Sequence, residues 1–169
     1  MGSPRRAALD PVYAAALATA LELAAAAGRV GEVPVGAVVL GPDGLEWGRG
    51  ANERERGSGG AGGGGGDVLG HAEVVALRAA ARHTGSWRLT GATLVVTLEP
   101  CPMCCWAAQQ ARVERVVFAA WDDKAGACGS VWDLARDSRA LHRMEVIGGV
   151  AGAAEASAAL LREFFAARR

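Results

Sequence analysis

Three of the chain's four cysteines fall within residues 101–105, in the sequence EPCPMCC. Pro102 suits the first turn of a helix, which would place Cys101 at the helix cap and Cys104 three residues further on, pointing roughly the same way. The positive end of a helix favours thiolate over thiol. We therefore expect Cys101 and Cys104 to present two soft anionic sulfur atoms side by side.

Two kinds of site share this local pattern. A strand followed by C-x-x-C at a helix start occurs in redox proteins, and the same pair supplies two thiolates to a tetrahedral zinc. The tripeptide HAE at residues 71–73 favours zinc, because His71 provides a third ligand that a redox pair does not need. Three protein ligands leave the fourth position open, which is typical of a catalytic zinc site.

A carboxylate two residues after His71 adds a proton carrier to this set. Two thiolates neutralise the charge of a zinc ion, so an attacking water is only partly activated and benefits from a base. We expect Glu73 to take its proton and to deliver protons to a ring nitrogen and a leaving amine. The chemistry that these four residues support is hydrolytic deamination at an amidine-like carbon of a nucleobase.

Helix-like and strand-like segments alternate along the chain, which predicts an α/β sandwich with a mostly parallel or mixed sheet. The strand before the cysteines is apolar throughout, as expected for a strand buried on both faces. The first predicted helix spans residues 11–27, with Asp10 as its cap and Gly28 as its stop. A hairpin of two strands follows, the first over 33–40 and the second through 47. The remaining predicted elements are, in chain order, a helix over 71–83, a strand over 92–98, a helix over 104–112, strands over 115–119 and 144–147, and a helix over 153–167.

Residues 57–66 read GSGGAGGGGG and contain eight glycines. Neither the lysine nor the Ser/Thr of a phosphate-binding loop follows them, and no strand leads into them. We therefore expect a flexible surface loop. With no internal repeats and no linker long enough to separate two domains, the sequence predicts a single domain over residues 1–169.

The overall composition limits the possible partners. The 169 residues include 18 basic and 18 acidic side chains, so no net positive field indicates a polyanionic partner. Arg5 and Arg6 precede an alanine-rich run, but Asp10 and Glu22 argue against a secretory signal. No apolar run reaches the roughly twenty residues of a membrane-spanning helix. We expect a cytoplasmic protein, where clustered cysteines more often bind metal or catalyse than form cross-links.

The HAE and PCxxC motifs together are the signature of the zinc-dependent cytidine/deoxycytidylate deaminase superfamily. Most of the chain resembles the bacterial tRNA-specific adenosine deaminases of that superfamily. The resemblance implies a three-layer α/β/α sandwich around a mixed five-stranded sheet. The segments that carry it are VPVGAVVL, Asn52, HAEVVALR, WRLTGATLVVTLEPC, RVVFAAWDDKAGACGSVWD and LLREFFAARR.

Members of this family convert the wobble adenosine of tRNA anticodons to inosine and work as homodimers. By resemblance, His71, Cys101 and Cys104 would bind one Zn²⁺, and Glu73 would shuttle the proton. Asn52 would hydrogen-bond the flipped base, and Asp122 would help to hold the anticodon nucleotides.

The chain departs from the family pattern at three places. Val68-Leu69-Gly70 replace Pro-Thr-Ala before the histidine, which predicts a less rigid approach to the site. Cys105-Trp106-Ala107 replace small residues after the second cysteine ligand, and we expect Trp106 to overpack its helix unless the neighbours retreat. Gln109 and Gln110 replace partly apolar residues near the family's dimer surface. The other tryptophans, Trp47, Trp87, Trp121 and Trp132, are expected mostly in the core, although Trp121 could also stack on a base.

Three alternatives stay open at this stage. The near-neutral charge also fits a zinc deaminase of a free base or nucleoside, of the guanine or cytosine type. The altered loop and Trp106 fit a catalytically impaired deaminase fold that binds RNA, although the presence of Glu73 argues against it. Within the cysteine cluster, Cys105 would face the metal if the helix began at a different residue.

Overall fold

The computed structural model describes residues 9–55 and 66–168. The predicted glycine-rich loop therefore lies outside the described residues, apart from Gly66. The order of helices and strands is the predicted one. The helices and strands are α1 (Pro11–Arg29), β1 (Gly36–Leu40), β2 (Glu46–Ala51), α2 (Ala72–Thr84), β3 (Thr93–Leu98), α3 (Pro102–Gln110), β4 (Arg115–Ala120), β5 (Glu145–Gly148) and α4 (Ala153–Ala166).

The strands form one five-stranded sheet in the order β2-β1-β3-β4-β5. Strand β1 runs antiparallel to both β2 and β3, whereas β3, β4 and β5 are mutually parallel. Parallel neighbours require crossover connections, which α3 provides between β3 and β4. The expectation of a mixed five-stranded sheet is confirmed.

Alternate residues of the central strands pack into two separate clusters, one on each face of the sheet. Val38, Val95 and Val117 pack with Ala16 and Leu17 of α1. The neighbouring residues on the same strands, Val39, Leu94 and Val116, point to the opposite face of the sheet. There they form a second cluster with Ala76 of α2 and Cys105 of α3. Side chains of successive strand residues point to opposite faces, so each face has its own helical layer. The predicted three-layer arrangement is confirmed.

Helix α1 begins as predicted, but it ends later. The Asp10 carboxylate accepts a hydrogen bond from the Val12 amide at 2.9 Å, and Pro11 occupies the first turn. Gly28 does not stop the helix, which continues to Arg29. By length and composition α1 could cross a membrane, contrary to the expectation from apolar runs. Its alanine-rich sequence explains this, and its buried face, which includes Leu17 and Ala20, packs against the sheet.

Two glycines on β2 determine how closely α2 packs on the sheet. A Cβ atom on Gly48 would lie 2.5 Å from the Ala80 amide nitrogen, and a Cβ atom on Gly50 would lie 2.6 Å from the Ala72 carbonyl oxygen. Any larger residue at either position would push the helix backbone away. The amino end of α2 is thereby held against the strand, directly after His71.

The start of α3 lies at the same edge of the sheet. Strand β3 ends at Leu98, and the chain enters α3 at Pro102, four residues later. The carboxyl ends of β3 and β4 are adjacent, because Leu98 pairs with Ala120. In open α/β sheets, sites form outside the carboxyl ends of the strands. The amino ends of α2 and α3 therefore meet at the edge where a site is expected.

Candidate metal centre

His71 is the N-cap residue of α2, with an extended backbone at φ −73° and ψ 146°. Two neighbouring segments fix the helix start. The Asn52 side-chain oxygen accepts a hydrogen bond from the Ala72 amide at 3.1 Å, and the Gly70 carbonyl accepts one from the Glu53 amide at 2.8 Å. Asn52 thus satisfies an amide at the first turn that has no partner within the helix. The structure thus places the Asn52 side chain against the residue that follows His71.

Asp67 stabilises the conformation of the residues that lead into His71. Its carboxylate accepts a hydrogen bond from the Leu69 amide at 2.9 Å and pairs with Arg78 of α2 at 3.3 Å. These contacts supply local order that the Val68-Leu69-Gly70 sequence did not predict. They tie residues 67–69 to the helix that carries His71.

Cys101 and Cys104 occupy the predicted positions at the start of α3. Cys101 is the N-cap, Pro102 takes the first helical position, and Cys104 is fully buried. The His71 Nδ1 atom lies 3.6 Å from the Cys101 Sγ atom and 3.5 Å from the Cys104 Sγ atom. The three candidate ligand atoms all lie within 4.8 Å of one another.

These separations fit a tetrahedral zinc ion. Zn–S bonds of about 2.3 Å and Zn–N bonds of about 2.0 Å at the tetrahedral angle put nitrogen and sulfur ligands about 3.5 Å apart. The two measured distances from Nδ1 to sulfur agree with this value. The geometry also favours a metal site over a redox pair, because the His71 nitrogen lies at the ligand–ligand distance from both sulfur atoms.

In the metal-free cluster the shared hydrogen bonds move the pKa of Cys101 toward the form that ligates a metal and the pKa values of Cys104 and His71 away from it. The hydrogen bond from Cys104 lowers the pKa of Cys101 to about 4, and the contact with His71 acts in the same direction. The hydrogen bond with Cys101, together with burial, raises the pKa of Cys104. The pKa of His71 is also raised, mainly by its hydrogen bond with Cys101. The lowered pKa of Cys101 favours its thiolate, which is the form that ligates zinc.

Glu73 lies in the first turn of α2 and is only 4% exposed. Burial, with a further contribution from the charge of Cys101, raises the pKa of Glu73 to about 7. A carboxyl group with a pKa near neutrality can both accept and donate a proton under physiological conditions. The structure therefore brings the metal ligands together with a group suited to proton transfer.

Asp122 lies just beyond the carboxyl end of β4, where its side chain organises a turn. One carboxylate oxygen accepts hydrogen bonds from the amides of Lys124 at 3.0 Å and Ala125 at 3.3 Å. The Asp122 amide donates to Glu99 at 3.1 Å. The side chain thus caps its own loop, which is a common use of aspartate.

Glu99 is the residue of this region that the sequence interpretation left without a role. It lies two residues before Cys101 and is 2% exposed. Its carboxylate accepts hydrogen bonds from the amides of Asp122, Cys128 and Ser130, at 3.1, 2.8 and 3.1 Å. The sequence feature that could have identified Glu99 is its position directly after a continuous apolar strand. A charged side chain buried there without a partner would be energetically costly.

Cys105 does not belong to the metal group. It is fully buried in the core between the sheet and the α2/α3 layer, and its sulfur lies 4.0 Å from that of Cys128. The predicted helix register is therefore correct, and Cys128 is the small buried apolar residue that a free cysteine often is. All four cysteines are free.

Expectations for several large side chains were wrong. Trp106 does not overpack α3, because it is 50% exposed on the outer side of the helix. Gln109, for which only a place near the family's dimer surface was expected, is buried within the chain, and its amide donates to the carbonyls of Leu134 and His142 at 2.8 and 3.0 Å. Three of the tryptophans expected mostly in the core, Trp87, Trp121 and Trp132, are exposed.

Comparison with curated proteins shows relatives of two kinds. The chain is 50% identical over 150 residues to a tRNA(Ile)-lysidine synthase of Deinococcus deserti, covering 89% of this chain and 26% of that protein. The chain thus spans about a quarter of the length of the first curated relatives it matches. It is also 42% identical over 131 residues to the tRNA-specific adenosine deaminase of Bacillus subtilis, covering 78% of this chain and 76% of that protein.

Among solved structures, the chain is similar to one from a study of A-to-I editing by tRNA:A34 deaminases at the wobble position of transfer RNA. The TM-score is 0.78 at 36% identity, over 88% of this chain and 99% of the other. Residues 12–120 match the family described as the cytidine and deoxycytidylate deaminase zinc-binding region. That range contains His71, Cys101 and Cys104, which form a zinc-binding triad. The chain therefore belongs to the cytidine and deoxycytidylate deaminase family.

Proposed function

We propose that this chain is a zinc-dependent hydrolase that deaminates adenosine to inosine at the wobble position of tRNA anticodons. The observation that carries the proposal is the triad of His71, Cys101 and Cys104 beside the buried carboxyl of Glu73. Similarity to proteins named as tRNA-specific adenosine deaminases supports the choice of substrate.

In this mechanism the triad holds the metal and Glu73 moves the protons. His71 Nδ1 and the sulfur atoms of Cys101 and Cys104 would hold the zinc ion, which would supply a Lewis acid that makes water an effective nucleophile at neutral pH. The Glu73 carboxylate accepts one proton from the attacking water and donates it to the ring nitrogen. It then accepts the second water proton from the new hydroxyl group on the carbon and donates it to the departing amine. At C6 of adenine a carbon–oxygen bond forms, the carbon–nitrogen bond breaks, and ammonia leaves.

Two further residues complete the proposed substrate site. The Asn52 Oδ1 atom is engaged by the Ala72 amide, which orients the side chain beside the triad. We assign its Nδ2 group to a hydrogen bond with the base that is flipped into the site. We assign Asp122 to the anticodon nucleotides, through the carboxylate oxygen that does not bind the Lys124 and Ala125 amides.

The proposed partners are the tRNA anticodon loop and a second copy of the chain. Trp106, 50% exposed, and Leu141, 93% exposed, line one shallow pocket beside α3, which supports self-association there. Isolated apolar side chains are common on surfaces, but clustered ones often mark interfaces. A cytoplasmic location is consistent with a tRNA substrate and with four free cysteines.

An assay with two substrate classes tests this function. Purified protein should contain one zinc ion per chain and should convert adenosine to inosine in an anticodon stem-loop with adenosine at the wobble position. Glu73→Gln should retain zinc and lose activity, because the amide cannot accept the proton. Turnover of free guanine, cytosine or their nucleosides, with none of the RNA, would overturn the tRNA substrate and favour the free-base alternative.

A further inference from the structure

The segment from Trp121 to Trp132, called here the 121–132 loop, is built around the buried carboxylate of Glu99. The amides of Asp122, Cys128 and Ser130 all donate to this group at distances of 2.8 to 3.1 Å. The three donors come from positions 23 to 31 residues away in sequence. One side chain therefore sets the spacing of both ends of the loop.

Gly126 allows the loop to close over this carboxylate. A Cβ atom at position 126 would lie 2.1 Å from the Glu99 Oε2 atom and 2.1 Å from the Ser130 Oγ atom. The Ser130 hydroxyl donates to the Asp122 carbonyl at 2.8 Å, and the Gly126 amide donates to the same carbonyl at 2.9 Å. The loop thus combines polar contacts around Glu99 and the Asp122 carbonyl with the burial of Ala127 and Cys128 in the core.

The 121–132 loop also lies against the turn that carries the metal ligands. Its Ala127 amide donates to the Pro100 carbonyl at 2.9 Å, and Pro100 directly precedes Cys101. At its ends the loop exposes the indoles of Trp121, 46%, and Trp132, 48%. Exposed aromatic faces next to a deaminase centre are suited to stacking on unpaired bases.

We propose that Glu99 is a positioning residue that holds the 121–132 loop in the shape that receives the RNA substrate. This inference rests on the proposed function, since it concerns how the same site binds RNA. Glu99 touches neither the substrate nor the metal. It acts through the three backbone amides that it binds, and so it affects substrate affinity more than the chemical step.

The Glu99→Gln variant tests this role. A carboxylate can accept hydrogen bonds at both oxygens, whereas a side-chain amide has one accepting oxygen and an NH₂ group that would face a donor. Hydrogen exchange at the amides of Asp122, Cys128 and Ser130 should accelerate, while exchange within β3 and β4 stays unchanged. KM for the anticodon stem-loop should rise about tenfold or more, with kcat within about threefold of wild type and zinc retained. Glu145→Gln, which removes a surface ion pair with Arg115, is the matched control. It should change neither the hydrogen exchange of the three amides nor KM.

A second variant moves the loop without altering Glu99. Gly126→Ala should force the loop away from the carboxylate and reproduce the rise in KM. Gly28→Ala is its control, because a Cβ atom there would make only ordinary contact with Pro34 at 3.4 Å.

The outcomes separate this inference from the function on which it rests. If wild-type protein makes inosine in RNA but both variants keep the wild-type KM, the role of Glu99 is overturned and the proposed function stands. A loss of zinc or of kcat in Glu99→Gln without a rise in KM would also overturn the proposed role of Glu99. Glu99 would then act on the turn that carries the metal ligand Cys101 and not on the 121–132 loop. If wild-type protein makes no inosine in RNA, the proposed function itself fails.

Discussion

At the scale of single residues, the buried carboxyl of Glu73 links the chemistry of the site to the stability of the chain. Burial raises the pKa of Glu73 from 4.5 to about 7. A carboxyl group whose pKa is higher in the folded state favours folding at low pH, and that contribution is lost as the pH rises from 4.5 through 7. The folded protein therefore carries an energetic cost at neutral pH for keeping this carboxyl group out of water.

Glu73→Gln should consequently stabilise the zinc-free protein more at pH 8 than at pH 5. The glutamine has no charge to bury, so the free energy of unfolding should increase by about 2 kcal/mol more at the higher pH. Urea titrations of chelator-treated wild type and variant at both pH values measure this difference. An equal effect of the substitution at the two pH values would show that Glu73 ionises in the folded state with an ordinary pKa.

Asn52 combines a structural contact with a proposed contact to the base, and one substitution separates them. Asn52→Asp keeps an oxygen that accepts from the Ala72 amide, so α2 should begin at the same residue and zinc should be retained. The NH₂ donor is lost, so kcat/KM for RNA should fall about 30-fold or more. Steady-state kinetics and zinc content measure the two effects. Activity at the wild-type level would exclude a hydrogen bond from Nδ2 to the base.

Sequence patterns predicted the metal ligands better than the surroundings of the site. His71, Cys101 and Cys104 could be identified because cysteine and histidine at these spacings serve few purposes. The place of Glu99 at the centre of a loop could not be predicted, since its partners lie 23 to 31 residues away and are backbone amides. The buried contacts of Gln109 escaped prediction for the same reason, because they depend on carbonyls at positions 134 and 142.

At the scale of helices and strands, the close packing of α2 on β2 determines where His71 and Glu73 lie. Gly48 and Gly50 present no side chains on the face that α2 covers, and the helix backbone fills that space. The hydrogen bond from the Ala72 amide to Asn52 then fixes the start of the helix. The zinc ligand on α2 thus depends on a strand that contributes no metal ligand itself.

Gly50→Ala should weaken zinc binding. The added Cβ atom would lie 2.6 Å from both the Ala72 carbonyl oxygen and the Ala76 amide nitrogen, so the first turn of α2 must move away from β2. Displacing His71 from the two cysteines should lower zinc affinity about tenfold or more. Competition with a coloured chelator measures the affinity, and Gly28→Ala in α1 provides the control. Unchanged zinc affinity in Gly50→Ala would mean that the packing of α2 on β2 does not position His71.

Apolar periodicity predicted the order of helices and strands. It did not predict the residue at which α1 ends or which side chains of α3 face the core. Gly28 was expected to stop α1, yet a glycine within a helix costs only about 1 kcal/mol and the last turn forms despite it. Trp106 was expected to crowd α3, but it lies on the outer face of the helix while Cys105 faces the core. Residues adjacent in a helix point about 100° apart, so a small change in register decides which of them is buried.

At the scale of the whole molecule, the proposed dimer and the proposed RNA surface depend on exposed aromatic side chains rather than on charge. The sequence has equal numbers of acidic and basic residues. Besides Trp87, which follows α2, the exposed tryptophans are Trp106 on α3 and Trp121 and Trp132 on the 121–132 loop. We assign Trp106 to self-association and the 121–132 loop to RNA.

Trp106→Glu should shift the protein from dimer to monomer, because a charge would be buried at the proposed interface. Trp87→Glu is the matched control, since Trp87 is 60% exposed but lies on the loop after α2. Sedimentation velocity over a range of protein concentrations distinguishes the two variants. A dimer that persists in Trp106→Glu with its wild-type dissociation constant would exclude α3 from the interface.

The most direct test of the central claim is the fate of water oxygen during the reaction. Zinc-loaded protein is incubated with an adenosine-containing anticodon stem-loop in water enriched in oxygen-18, and the RNA is digested and analysed by mass spectrometry. We predict that each inosine carries one oxygen-18 atom from the solvent, and that Glu73→Gln with full zinc content forms no inosine. Absence of inosine with the wild-type protein, or inosine formed at the wild-type rate by Glu73→Gln, would contradict the account.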